Sequence, residues 1–174
     1  MINKIMDQSK VIAIKKDYTL VISFAVVLLL AVTAPLLQNQ LITGTLVNML
    51  LVLSVFLFGL NGAFLIVFIP SMISWFLGLL PLAMGPMIPF IFVGNFIFVA
   101  GISMMRDKNY WLAGFVAAIA KAAFLFVSSY ILFNFFLGGA SAKIAASMMG
   151  YMQILTACLG VVLAFGVLKI MKRI

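Results

Sequence analysis

Residue types able to do chemistry are scarce in this chain, and the most informative is Lys121, a cation within the largely apolar stretch from Trp111 to Leu137. Elsewhere stand the amides Asn48, Asn95 and Gln153, the polar run Gln38, Asn39, Gln40, Thr43 and Thr45, and the indole of Trp75. Histidine is absent, and the three acids, Asp7, Asp17 and Asp107, lie outside the apolar runs or at their margins. A nucleophile with its base, or a metal with its ligands, cannot be built from this set. We therefore expect no catalytic residue, no metal ligand and no cofactor, and read the chain as not an enzyme. No Gly-x-x-x-x-Gly-Lys-Ser/Thr loop is present to use ATP. Proton relays and sodium sites usually rely on intramembrane Asp, Glu or His, so ion-coupled transport is disfavoured too. What remains is a protein that binds something, conducts something or assembles with something.

The elements that must position these residues follow from composition. Of 174 residues, 67% are hydrophobic and 8% charged, which cannot be arranged as an apolar core under a polar skin, so the solvent is lipid. A helix needs roughly 20 apolar residues to cross a bilayer core of about 30 Å. Continuous rather than alternating apolar runs favour helices over a barrel. Charges and Pro/Gly breaks divide the chain into spans at 17–37, 41–59, 62–80, 86–105, 111–137 and 147–169. The expected fold is therefore all-α: an integral membrane bundle of six transmembrane helices, one domain over 17–174. Between the second and third spans, Gly59-Leu60-Asn61-Gly62 reads as a tight turn, because these residues tolerate left-handed backbone angles.

The net charge of +8 points to membrane orientation rather than to nucleic acid, since the basic residues sit at span ends. With the N-terminus inside, Lys4, Lys10, Lys15, Lys16, Arg106, Lys108, Lys169, Lys172 and Arg173 all fall in the cytoplasm, and Lys143 falls outside. That bias predicts both termini cytoplasmic, in a multi-pass protein of the cell membrane. Residues 1–16 then form a short basic cytoplasmic arm, either solvated or lying on the anionic inner leaflet. Lys15 and Lys16 before Leu20–Leu30 resemble a signal peptide, but Pro35 directly after Val32-Thr33-Ala34 should block cleavage, so the first helix is expected to stay. Cys158 lies in an apolar span and reads as a packing residue.

An ammonium near mid-bilayer costs at least about 2.5 kcal/mol on insertion scales. Lys121 lies about ten residues from Trp111, roughly 15 Å deep, beyond an end-of-helix snorkel. Either backbone carbonyls satisfy it or burial keeps it neutral, or an anionic group of a ligand supplies the missing charge. With the same topology, Asn48 and Gln153 fall about 10 Å, and Asn95 about 14 Å, below the outer surface. Together with Lys121 they can line one outward-facing cavity, although an intramembrane amide is more often glue between helices. Gln40 and Thr43, in the first outer loop, are expected at its rim, and Trp75 either anchors at the interface or stacks under a ligand. Pro70 should kink the third span. The small residues Ala113-Ala117 and Gly114-Ala118-Ala122 present a smooth face for close helix packing.

The stretch Gln40-Leu41-Ile42-Thr43-Gly44-Thr45-Leu46-Val47-Asn48, the spacing of Pro70, Gly78 and Pro81, and Pro89-Phe90-Ile91-Phe92-Val93-Gly94-Asn95 resemble the S components of energy-coupling factor transporters. These are small six-helix subunits with cytoplasmic termini that capture a vitamin or related micronutrient. They dock on a transmembrane coupling protein bound to two ATP-binding subunits. The resemblance implies an outward pocket formed by the first and third outer loops and helices four to six, with Asn95, Lys121 and Gln153 in it and a vitamin-like ligand, to which the unpaired Lys121 adds the expectation of a carboxylate or phosphate. It also implies an external ATPase as motor, in keeping with the missing ATP site. The first span carries only Ser23, Ala25, Ala31 and Ala34 where many S components have an Ala-x-x-x-Ala docking face. The lack of His sets the chain apart from the nickel and cobalt branch. Two other classes compete: a small oligomeric channel, which would show a polar stripe along one helix, and a structural or assembly subunit, which would need neither a cavity nor a buried Lys.

Overall fold

A computed structural model describes the backbone of residues 2–78, 82–132, 134–135 and 149–174, with side chains from residue 18 onward except at 74 and 82–84. All regular structure among these residues is helical. Helix α1 spans Ile2–Thr33, so the basic arm expected at 1–16 is continuous with the first span. A 3-10 turn with Pro35 in its first turn, Ala34–Leu37, ends this element. Gln38 then adopts a left-handed conformation, φ 49°, and Asn39 starts α2 by accepting the Ile42 N–H on its Oδ1 at 3.1 Å.

Helix α2, Gln40–Phe76, takes in both the second and third expected spans. Its backbone leaves helical geometry at Gly59, with φ 71° and ψ −174°, a region essentially reserved for glycine. The break is a reversal, since Thr43 from before it and Ser71 from after it line the same cavity. Pairings with the later helices give the directions. Helix α3 spans Ile88–Met105, after a 3-10 turn at Leu82–Met87, and α4 spans Tyr110–Leu132. Phe64 and Phe68 meet Phe96 and Phe92 edge to face, so 60–76 runs antiparallel to α3. Phe56 meets Tyr110 while Asn48 meets Lys121, so 40–58 runs antiparallel to α4. The chain stays helical through Pro70; the departure from helical backbone angles falls at Gly59.

Five helices among the described residues are long and apolar enough to cross a membrane, the broken α2 being the longest. The last, α5, spans Tyr151–Ile170, and residues 136–148, where the third outer loop was expected, lie outside the described residues. The core holds Leu51, Val52, Val55, Ile66, Phe98, Ile102, Ala117, Val161 and Leu168, with Cys158 partly buried against it. Helices approach closely where side chains are small. A Cβ on Gly114 would lie 2.5 Å from Val161 Cγ1, and one on Gly101 would lie 3.0 Å from Ala117 Cβ. The small-residue face of α4 is thus spent on internal packing.

At the end of the bundle near Gly59, Arg106 donates from Nη1 to the Val55 carbonyl at 2.6 Å and lies 5.8 Å from the Phe56 ring centroid. The last carbonyls before a helix break lack following N–H partners, and the guanidinium takes one of them. Tyr110 Oη donates to the Val161 carbonyl at 2.7 Å at the same end. Polar side chains therefore tie α2, α3, α4 and α5 together there.

A polar cavity floored by Lys121

At the other end of the bundle the helices splay around a cavity of about 410 Å³. The turn after α1 supplies Pro35, Gln38 and Asn39, and α2 supplies Gln40, Thr43, Gly44, Val47 and Asn48 before its break, Pro70 and Ser71 after it. Ile91 and Asn95 come from α3, Lys121 from α4, and Met149 and Gln153 from the start of α5. Gln38, Asn39 and Gly78 at the rim are exposed, whereas Asn48, Asn95 and Lys121 at the floor are 2%, 4% and 3% exposed.

The floor is a directed network. Lys121 Nζ donates to Asn48 Oδ1 at 2.6 Å, and Asn48 Nδ2 donates to Thr156 Oγ1 at 3.3 Å. The Thr156 hydroxyl gives its single proton to the Met152 carbonyl at 2.8 Å, so toward Asn48 it can only accept. That fixes which way the amide points: oxygen to the lysine, nitrogen to the threonine. On its other side Lys121 Nζ lies 5.3 Å from the Phe98 ring centroid, a cation–π contact inside the core. Among the described residues the ammonium thus has one hydrogen bond and one ring for its three donors. Asn95 lines the same cavity, is nearly fully buried, and makes no side-chain hydrogen bond among the described residues. Buried amides ordinarily have partners, so this one leaves hydrogen-bonding capacity facing the cavity.

Of the residues singled out from sequence, Lys121, Asn48, Asn95, Gln153, Gln40 and Thr43 are brought around this one space. Trp75 is not among its lining; its ring packs 5.5 Å from that of Phe76, and its Nε1 faces the position a Cβ on Gly85 would take. Thr43 also spends its hydroxyl on the Ala34 carbonyl at 3.1 Å, which ties the rim turn to α2.

Sequence reasoning missed Ser71 and Thr156, since lone hydroxyl residues in apolar spans look like ordinary helix positions. It also missed Gly160, which has no side chain to notice. Arg106, noted from sequence only for its side of the membrane, is half-buried in the turn after α3 at the opposite end of the bundle. Among the described residues no acid lines the cavity; Asp107 lies beside Arg106 at that far end, at 3.7 Å from its Nε. The described lining therefore combines one cation, several neutral hydrogen-bonding groups and apolar walls, a composition that can receive a small molecule with a negative end. The chain matches no known family model, no curated protein and no solved structure.

Proposed function

We propose that this chain is the substrate-capturing S component of an importer of the energy-coupling factor type, taking up a small vitamin-like molecule from outside the cell. In this reading the halves of α2 are separate crossings, which makes six and puts both basic termini in the cytoplasm. The cavity then opens outward from the cytoplasmic membrane. Uptake needs a separate transmembrane coupling protein with two ATP-binding subunits, because the sequence has neither an ATP site nor intramembrane acids for ion coupling.

The observation that supports this reading best is the buried Lys121 at the floor of a cavity whose rim is polar. A structural subunit gains nothing from burying an ammonium without an anion, and a pore needs a continuous polar path rather than a closed floor. The bundle beneath Lys121 is filled by Phe98, Leu51 and Val52, all nearly fully buried.

The test is native mass spectrometry of the detergent-purified protein from its own host. A co-purifying small molecule in the wild-type spectrum, lost in Lys121→Ala, is the expected result. A bare protein that also takes up no ligand from a vitamin panel would move the assignment to an assembly subunit.

A further inference from the structure

We infer that the cavity selects a monocarboxylate with an aliphatic, hydrogen-bonding body, the carboxylate seated on Lys121; this rests on the reading of the cavity as a binding site. The charge count is the first argument. Lys121 is the single charged side chain among the described lining residues, and Asp107, the one acid whose side chain is described, is not among them. One negative charge on the ligand makes the buried pair neutral. A dianion such as a phosphate monoester would leave a net charge in a low-dielectric floor, and an uncharged ligand would leave the ammonium without a counter-charge.

Geometry gives the second argument. Asn48 and the Phe98 ring occupy two sides of the ammonium, and the remaining donors serve the cavity that Lys121 lines. Since Thr156 holds the Asn48 amide with its oxygen toward Lys121, that oxygen competes with an arriving carboxylate as acceptor, and at most the second Nδ2 hydrogen is left for the ligand. The charge of the carboxylate is therefore met by the lysine.

The body of the ligand is defined by the walls. No aromatic side chain is among the described lining residues, so a flat ring system finds no stacking partner among them. Asn95 instead offers a buried amide with no other partner among them, suited to a hydroxyl or amide on the ligand. Eight residues of helix separate Gln40 at the rim from Asn48 at the floor, which sets a ligand length of roughly 12 Å.

To test this, the purified full-length chain is incubated with a deproteinised small-molecule extract of its host. Half of that extract is first methyl-esterified with trimethylsilyldiazomethane, and retained compounds are identified by mass spectrometry. The expected result is an aliphatic compound with one carboxylate, retained from the untreated half and lost from the esterified half. Lys121→Met should retain it at least about tenfold less. Retention of a dianion, a flat aromatic or an uncharged compound, or retention that survives esterification, overturns this inference and leaves the binding reading in place. Retention of nothing by folded wild-type chain overturns both. The esterification arm uses only the wild-type chain, so it decides even where Lys121→Met does not fold.

Discussion

Gly160 of α5 lies against Asn48 of α2 so closely that a Cβ there would come within 2.7 Å of Asn48 Cβ and 2.8 Å of the Met49 backbone nitrogen. Two of the three nearest atoms are backbone, so they cannot turn aside, and the helices would have to separate. Because Asn48 carries the acceptor for Lys121, this contact sets the floor of the cavity. Gly160→Ala is expected to destabilise the bundle by about 1–3 kcal/mol and to weaken ligand retention. Thermal unfolding in detergent, paired with a binding assay, checks both. Unchanged stability would show that the approach is looser than described.

Asn48→Asp places a carboxylate where the amide oxygen now meets the ammonium at 2.6 Å. The internal ion pair then satisfies Lys121 in place of an outside anion. Retention of an anionic ligand should fall at least about tenfold, since breaking a buried charge pair costs about 2–5 kcal/mol. The folded chain should survive. A variant that binds an anionic ligand as well as wild type would show that the lysine does not receive the charge.

Thr45 is buried, and its Oγ1 has no hydrogen-bond partner among the described residues. It is not among the residues lining the cavity. Thr45→Val replaces the hydroxyl by a methyl of similar size and removes a desolvated polar atom. It should raise stability by about 1–3 kcal/mol and leave ligand retention alone. A lower melting temperature would mean that the hydroxyl is satisfied.

Gly59→Ala tests the reversal within α2. A Cβ there meets nothing within 4 Å, so any cost is conformational rather than a clash. With φ at 71° and ψ near the extended limit, an L residue should cost about 1–3 kcal/mol, seen as a lower melting temperature. Arg106→Ala should cost a similar amount, about 1.5–3 kcal/mol, by removing the hydrogen bond to the Val55 carbonyl and the contact with Phe56. Arg106→Lys should recover part of the loss.

Most of the architecture was legible in the chain because the physical signal is strong and local. A run of about 20 apolar residues has one stable form in lipid, a helix whose backbone groups bond to one another. The spans at 86–105 and 147–169 accordingly match α3 and α5 to within a few residues. The turn at residues 59–62 was legible as glycine punctuation, but it narrows to one non-helical residue, since Gly59 alone leaves helical geometry. Trp75 was open between anchoring and stacking because an indole near a span end looks the same from sequence whether it faces a cavity or a neighbouring Phe76.

By itself, the sequence determined that the chain is helical and membrane-embedded, and that a lysine without an acid is buried in it. Those conclusions need only composition, the length of apolar runs and the cost of a charge in lipid. Tertiary structure alone decided that Lys121, Asn48, Asn95 and Gln153 share one cavity. It also decided that Thr156 orients the Asn48 amide and that Arg106 closes the opposite end. Asn48 and Lys121 lie 73 positions apart, and Asn48 and Thr156 lie 108 apart. Their meeting depends on where each helix turns back and on which small residues let helices approach closely, and neither is a property of local sequence.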